Sequence, residues 1–498
     1  MNIPSGGRAR ARWALVSVLA ANMLVDALEV SATLVALPSV GSGLGLSVPR
    51  LQWLVSGFAA GFGGLLLLGG RLVERLGRRR VYLAALLVFA AASLAGALTD
   101  SALLLTATRV VKGFCVALTA PTGLAIILSA VPEGAERRRA VSVYSFFGAA
   151  GFCSGLLLSG LLTGIGWRWT IAFPAPVALL LLAAGLRLIP ADGTAPRGPR
   201  PRLGRHPLVA GLALTGTVLL LVYALSSLAG PAGQRRSAAA ALAGALLLGA
   251  VLVRAERTAP SPLLRTELLR HAPLLRSALG AAALNGSYVG FLLVAALDLR
   301  RAGWSSWETA LAFLPASAPL ALSALHSGRI AARLGPARAV AAGAAAAPLG
   351  YALYPSGGGG RVDYTDLLPA MSFVGVAFVL AFTALHLQAT GTVPPALQTA
   401  AGGLYQTCVQ LGAALTTALT SALYAAAGQG PALWLVTAVG LAGACVALGG
   451  LFHPSVPPDP PAPSAPPVRT AAGVSPSHTA APTTDGRGHP SASTREAS

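Results

Sequence analysis

Of the 498 residues, 54% are hydrophobic and only 10% charged, yet the formal net charge is +20. A soluble domain carries charge on about a quarter of its residues, so water is not the main solvent of this chain. A nucleic-acid partner is excluded too, because the basic residues sit between apolar runs instead of gathering on one face.

Fourteen apolar stretches fill residues 13–452. At about 1.5 Å of rise per residue, a helix of roughly 20 residues crosses a hydrocarbon core about 30 Å thick. The expected fold is therefore all-α, a polytopic membrane protein with 14 transmembrane helices.

The first stretch, 13–37, follows Arg8, Arg10 and Arg12 and so resembles a secretory signal. It continues to Pro38 and carries Asp26 and Glu29, too long and too polar for a cleaved segment, and is read as a retained helix. The second, 51–70, opens on Gln52 and Trp53 and runs into a basic loop, Gly70 to Arg80, that contains Gly70, Glu74, Arg75, Gly77, Arg78 and Arg79. The third spans 81–98. The fourth, 102–130, holds Arg109 and Lys112, and the fifth, 140–163, carries Gly148, Gly151, Gly155 and Gly160. After the sixth, 169–189, comes a Pro/Arg/Gly linker, 191–207, then stretches at 208–230 and 237–253. The last six lie at 275–297 (with Asn285 and Tyr288), 307–326, 337–354, 367–388, 400–427 (with Gln406) and 431–452. From Pro454 the composition turns to Pro, Ser, Thr and Ala, which predicts a disordered cytoplasmic tail.

An even number of crossings puts both termini on one side. With that side inside, the inner segments before the tail hold 24 Arg against seven in the outer loops, so the positive-inside rule places both ends in the cytoplasm of a cell-membrane protein. Cys115, Cys153, Cys408 and Cys445 all fall within stretches, without spacing for a metal site or a disulfide framework. The single lysine, Lys112, lacks the Gly-Lys-Ser/Thr context of a phosphate-binding loop, so no ATPase site is present.

Ionisable residues deep in a bilayer are costly and usually paired. Asp26 and Glu29 are three residues apart and share a helix face, as do Arg109 and Lys112. Helical rise puts Glu29 and Asp26 about 12 Å and 16 Å from the outer end of their span, and Arg109 and Lys112 about 10 Å and 15 Å from theirs. Matching depths predict two pairs, Glu29 with Arg109 and Asp26 with Lys112. Either one carboxylate takes up a proton when its cation withdraws, with Glu29 the first choice, or the set is a fixed network that ties two helices together.

The segment Gly70 to Arg80 recurs weakly as Gly328 to Arg338, with Ala332 where Glu74 stands in the first copy. The chain then divides into a six-helix bundle (1–190), a linker with two inserted helices (191–254), a loop (255–274), a second six-helix bundle (275–452) and the tail (453–498). Such repeats characterise secondary transporters.

These residues resemble the signature of the major facilitator superfamily, and the span count resembles its fourteen-span drug:proton antiporter branch. Leu28 to Pro38, ending Ala36-Leu37-Pro38, is similar to the branch's acid-bearing stretch, with Glu29 in the acidic position. Gln52-Trp53, Arg109-Val110-Val111-Lys112-Gly113 (Lys112 replacing Gln), Trp167-Arg168-Trp169 and Gln410-Leu411-Gly412 fit in order. The antiporter motif of the fifth span is altered: Leu156 replaces its proline and Ser159 one glycine.

The resemblance implies a transporter, not an enzyme, that exports amphipathic drugs or toxic metabolites by alternating access. It would need no cofactor or metal and would draw on the proton gradient. Its partners would be the small-molecule substrate, protons and membrane lipid, with no nucleic acid, and it would act as a monomer. Glu29, Asp26, Arg109 and Lys112 would couple protons, and Gly70, Glu74, Arg75, Gly77, Arg78 and Arg79 would form a cytoplasmic gate. From the residues themselves, Gly151, Gly155 and Gly160 suit close helix packing or a hinge, and Gln52, Trp53, Asn285, Tyr288 and Gln406 are candidate substrate contacts, with a lipid-facing or core-packing role as the alternative for each. A proton symporter that imports a metabolite, and a transport-inactive receptor or scaffold signalling through the tail, stay open beside this reading.

Overall fold

The computed structural model describes residues 5–191, 205–228, 232–260, 262–355, 363–394 and 397–449. The Pro-rich tail, most of the 191–207 linker and the turn at 356–360 lie outside the described residues, as do the side chains of 323–337 and with them most of the second basic segment. Among the described residues all regular structure is helical.

The long helices are α1 (Ala9–Leu44), α2 (Val48–Leu76), α3 (Arg78–Leu98), α4 (Ala102–Ala130), α5 (Ala135–Ile165), α6 (Trp167–Leu188), α7 (His206–Ser227), α8 (Gly233–Thr258), α9 (Ala272–Arg301), α10 (Ser306–Ala352), α11 (Tyr364–Gly391), α12 (Gln398–Ala427) and α13 (Gln429–Leu448). Twelve of them, all but α10, are long and apolar enough to cross a membrane. They fall on twelve of the fourteen expected stretches. The other two, 307–326 and 337–354, both lie in α10.

At 47 residues, α10 is more than twice the length that one crossing needs. A straight rod would part Ala316 from Tyr351 by about 50 Å. Yet Tyr288 Oη donates to the carbonyl of Ala316 at 3.4 Å, and Tyr351 Oη donates to Ser287 Oγ at 2.9 Å, so both reach adjacent residues of α9. The chain therefore doubles back within α10.

Small residues set the helix contacts, as expected where apolar burial gives no advantage over lipid. A methyl group on Gly151 would stand 2.4 Å from the carbonyl of Leu24, and one on Gly155 would stand 2.7 Å from that of Leu28, which brings α5 onto α1. In the same way Gly61 and Gly113 join α2 to α4, Gly412 joins α12 to α9, and Gly375 joins α11 to the first part of α10. The pairing α1 with α5 and α2 with α4 is thus matched later by α9 with α12 and α10 with α11.

Several contacts link the earlier set to the later one. Ser56 Oγ donates to the carbonyl of Ala414 at 2.9 Å, Ser39 and Ser306 hydroxyls lie 3.3 Å apart, and Gly160 packs against Ala310. Helix α7 lies on α2, with Thr215 against Gly64 and Tyr223 6.5 Å from Trp53, while α8 reaches α7 through Tyr223 and Ser237.

Candidate functional site

All four ionisable residues expected deep in α1 and α4 come together, and all four are buried: Asp26 3%, Glu29 4%, Arg109 3% and Lys112 0% exposed. Arg109 Nη1 engages Glu29 Oε1, while its Nε donates to the carbonyl of Leu54 at 2.8 Å. Its guanidinium lies 4.7 Å from the centre of the Phe58 ring. Lys112 Nζ stands 2.7 Å from the same Glu29 oxygen. Its approach falls outside hydrogen-bond geometry, so this contact is an ion pair alone. Lys112 also faces the Phe89 ring at 5.0 Å.

The expected pairing is therefore half realised. Glu29 takes Arg109, as its depth requires, but it takes Lys112 as well. Asp26 pairs with no cation among the described residues. Asn22 Nδ2 donates to its Oδ2 at 3.0 Å and Thr119 Oγ1 donates to the same oxygen at 2.8 Å. Depth along an axis sets height only, and the long stem of Lys112 spans the one turn between Asp26 and Glu29.

A small cavity, with room for about one water molecule, touches this cluster. Glu29, Thr33, Leu54, Leu105, Arg109 and Thr170 line it. It meets Glu29 and Arg109 but not Asp26.

The basic segment expected as a loop is mostly helix. Gly70 to Leu76 close α2, Gly77 alone makes the turn at φ +92°, and Arg78 starts α3. Its acid stays local, since Glu74 pairs with Arg71 on its own helix at 3.4 Å, an exposed contact of little stabilising value. Arg78 donates to the carbonyl of Ala125 on α4 at 3.3 Å and Arg79 to that of Leu186 on α6 at 2.7 Å, while Arg75 is exposed. Across to the later part of the chain, Arg71 donates to the carbonyl of Pro262 at 3.1 Å.

Gly151, Gly155 and Gly160 act in packing, the first two against α1 and the third against α10. Ser159, which stands where a glycine was expected, donates to the carbonyl of Ala32 at 2.6 Å and so adds a clasp between α5 and α1.

The expected substrate residues lie on three helices, α2, α9 and α12. Gln52 and Trp53 sit at the start of α2, and the Gln52 amide is fully buried without a hydrogen-bond partner among the described residues. Asn285 is bound to the carbonyl of Val409 at 3.2 Å. Tyr288 belongs to an aromatic row absent from the sequence reading, lying 4.6 Å from Phe378 and 6.1 Å from Phe152 of α5. Phe378 stacks on Phe382 at 4.7 Å, and Phe382 leads to Tyr405, the neighbour of half-buried Gln406. A single π-turn at Phe378–Phe382 within α11 carries the stacked pair. Such turns often mark functional positions.

Among the described residues the chain is helical throughout its regular structure, multi-pass by length and hydropathy, and carries a paired charge cluster buried among its first helices. Residues 19–417 match the family model described as Major Facilitator Superfamily, and the chain belongs to that family. It is 34% identical over 414 residues to the puromycin resistance protein pur8 of Streptomyces alboniger, which covers 81% of this chain and 80% of the relative. It is 31% identical over 412 residues to the cephamycin export protein CmcT of Amycolatopsis lactamdurans, covering 81% and 83%. Among solved structures, the peptide transporter POT shares the fold with a TM-score of 0.65 at 16% identity, over 88% of this chain and 94% of that one.

Proposed function

We propose that this protein exports amphipathic drugs or toxic metabolites across the plasma membrane in exchange for protons, by alternating access. The observation that carries the proposal is the similarity, over four fifths of the chain, to proteins named for antibiotic resistance and export. Proton exchange is supported by the acids buried in α1 beside the cations of α4, since intramembrane ionisable groups in transporters mark ion pathways.

The reversal of α10 supports two crossings there and fourteen in all. The repeated glycine-mediated pairing supports two six-helix bundles, at 1–190 and 275–452, with α7 and α8 inserted between them in 191–254. The Arg distribution supports cytoplasmic termini. In this reading Gly70 to Arg79 guard the cytoplasmic side through the turn at Gly77. Substrate meets Tyr288, Asn285 and Gln406 from one side, and Gln52 and Trp53 near the outer end of α2. The transporter works as a monomer in lipid and needs no cofactor beyond the proton gradient.

Growth inhibition in a sensitive bacterial host, with and without overexpression, tests direction and substrate class together. Raised tolerance to puromycin or to amphipathic dyes is expected. Unchanged or lowered tolerance across the whole panel contradicts export.

A further inference from the structure

We infer that Asp26, not Glu29, is the acid that takes up and releases the transported proton, and that Glu29 is a clamped counter-ion holding α1 to α4. This deepens the proton-exchange reading and rests on it.

The two acids differ in what a proton would leave behind. Among the described residues Glu29 is the sole acidic partner of two buried cations, Arg109 and Lys112. A proton on Glu29 would strand both buried cations, with room for about one water beside Arg109. Among the described residues Asp26 receives only neutral donors, Asn22 and Thr119, both on Oδ2. A proton on Asp26 therefore breaks no ion pair and leaves an oxygen that still accepts from those two groups.

The surroundings of Asp26 suit a proton that comes and goes. On its own helix the charged neighbour is Glu29, one turn away. From α4 come Thr119 and Cys115, from α3 Tyr82, and from α5 Tyr144; Cys115, Tyr82 and Tyr144 lie within electrostatic reach of Asp26, while Lys112 is engaged by Glu29. The Tyr82 hydroxyl is fully buried and has no hydrogen-bond partner among the described residues. It is a group left ready to accept or donate as the protonation of the site changes.

Charge accounting agrees. Asp26, Glu29, Arg109 and Lys112 together are neutral when both acids are ionised. Loading Asp26 gives the set one net positive charge, and releasing the proton to the cytoplasm restores neutrality. No covalent bond other than O–H forms or breaks.

The test is infrared spectroscopy of the purified, detergent-solubilised protein, following the carbonyl stretch of a protonated carboxyl group between acidic and alkaline buffer. It needs no substrate, so its outcome is separate from whether the protein exports drugs. Wild type should show a titrating band that Asp26→Asn removes. The band should persist in the double variant Glu29→Gln with Lys112→Gln, which keeps Arg109, Asp26 and overall neutrality. A band that survives Asp26→Asn, or one lost only with Glu29, overturns the assignment, as does a wild type with no titrating band. In vesicles loaded with puromycin, Asp26→Asn should lose the response to a pH gradient and keep exchange of labelled for unlabelled drug. Loss of both modes in a variant that still inserts would mark Asp26 as structural and overturn the proposal.

Discussion

Lys112 Nζ lies 2.7 Å from Glu29 Oε1, the oxygen that Arg109 also engages, so one carboxylate holds two cations from successive turns of α4. This bond between α1 and α4 is buried on every side, and its consequences for stability and transport differ from those of an exposed pair.

Glu29→Gln leaves two cations uncompensated and should destabilise the protein by about 3–5 kcal/mol. Adding Lys112→Met should recover at least about 1 kcal/mol of that loss, because the second cation is then gone. Thermal unfolding of the detergent-solubilised single and double variants measures both. Additive losses would show that the residues do not share a site.

Gly155→Val places carbon against the carbonyl of Leu28 and the hydroxyl of Ser31, where even a methyl would stand 2.2 Å from Ser31 Oγ. Overpacking of this kind costs about 1–3 kcal/mol and should lower the amount of folded protein in membranes. Gly164→Ala, on the same helix with nothing within 4 Å, should not. Equal yields from both variants would rule out close packing of α1 on α5.

The two glycines of the basic segment should separate. Gly77→Ala forces a side chain into a positive-φ turn and should cost about 1–2 kcal/mol. Gly70 is helical with open space around it, so Gly70→Ala should be neutral or stabilise by up to about 1 kcal/mol. If Gly70→Ala nevertheless slows drug efflux several-fold while stability holds, Gly70 moves during transport. Unchanged efflux confines the role of this segment to Gly77 and its arginines.

Ending the chain after residue 453 should leave efflux of puromycin unchanged, since the residues that carry the proposed chemistry all precede it. Loss of function with normal insertion would favour a receptor that signals through its tail.

Much of the membrane architecture was legible because a bilayer imposes length: stretches of about twenty apolar residues are visible without any partner. The meeting of α1 with α4 was legible through depth, and so was Glu29 with Arg109. Partner choice at Asp26 was not, since height along a helix says nothing about azimuth or about how far a lysine stem reaches. Asn22, four residues before Asp26, was the available signal for its first donor; Thr119 had none. The aromatic row through Tyr288, Phe378 and Phe382 stayed hidden because the π-turn that carries Phe378 and Phe382 has no mark in hydropathy. The segment from Gly70 to Arg80 has the charge of a loop, yet helix continues to Leu76 because arginines at a membrane edge keep their heads in water while their stems stay on the helix.

The most direct measurement of coupled export is simultaneous recording of proton and puromycin flux in proteoliposomes under an imposed pH gradient. Drug should move out of the compartment equivalent to the cytoplasm as protons move in, each flux stopping when the other is blocked. In Asp26→Asn the gradient should move neither. Drug movement that proceeds at the same rate with the gradient collapsed, or with no accompanying proton entry, would contradict the coupling of the buried charges to export.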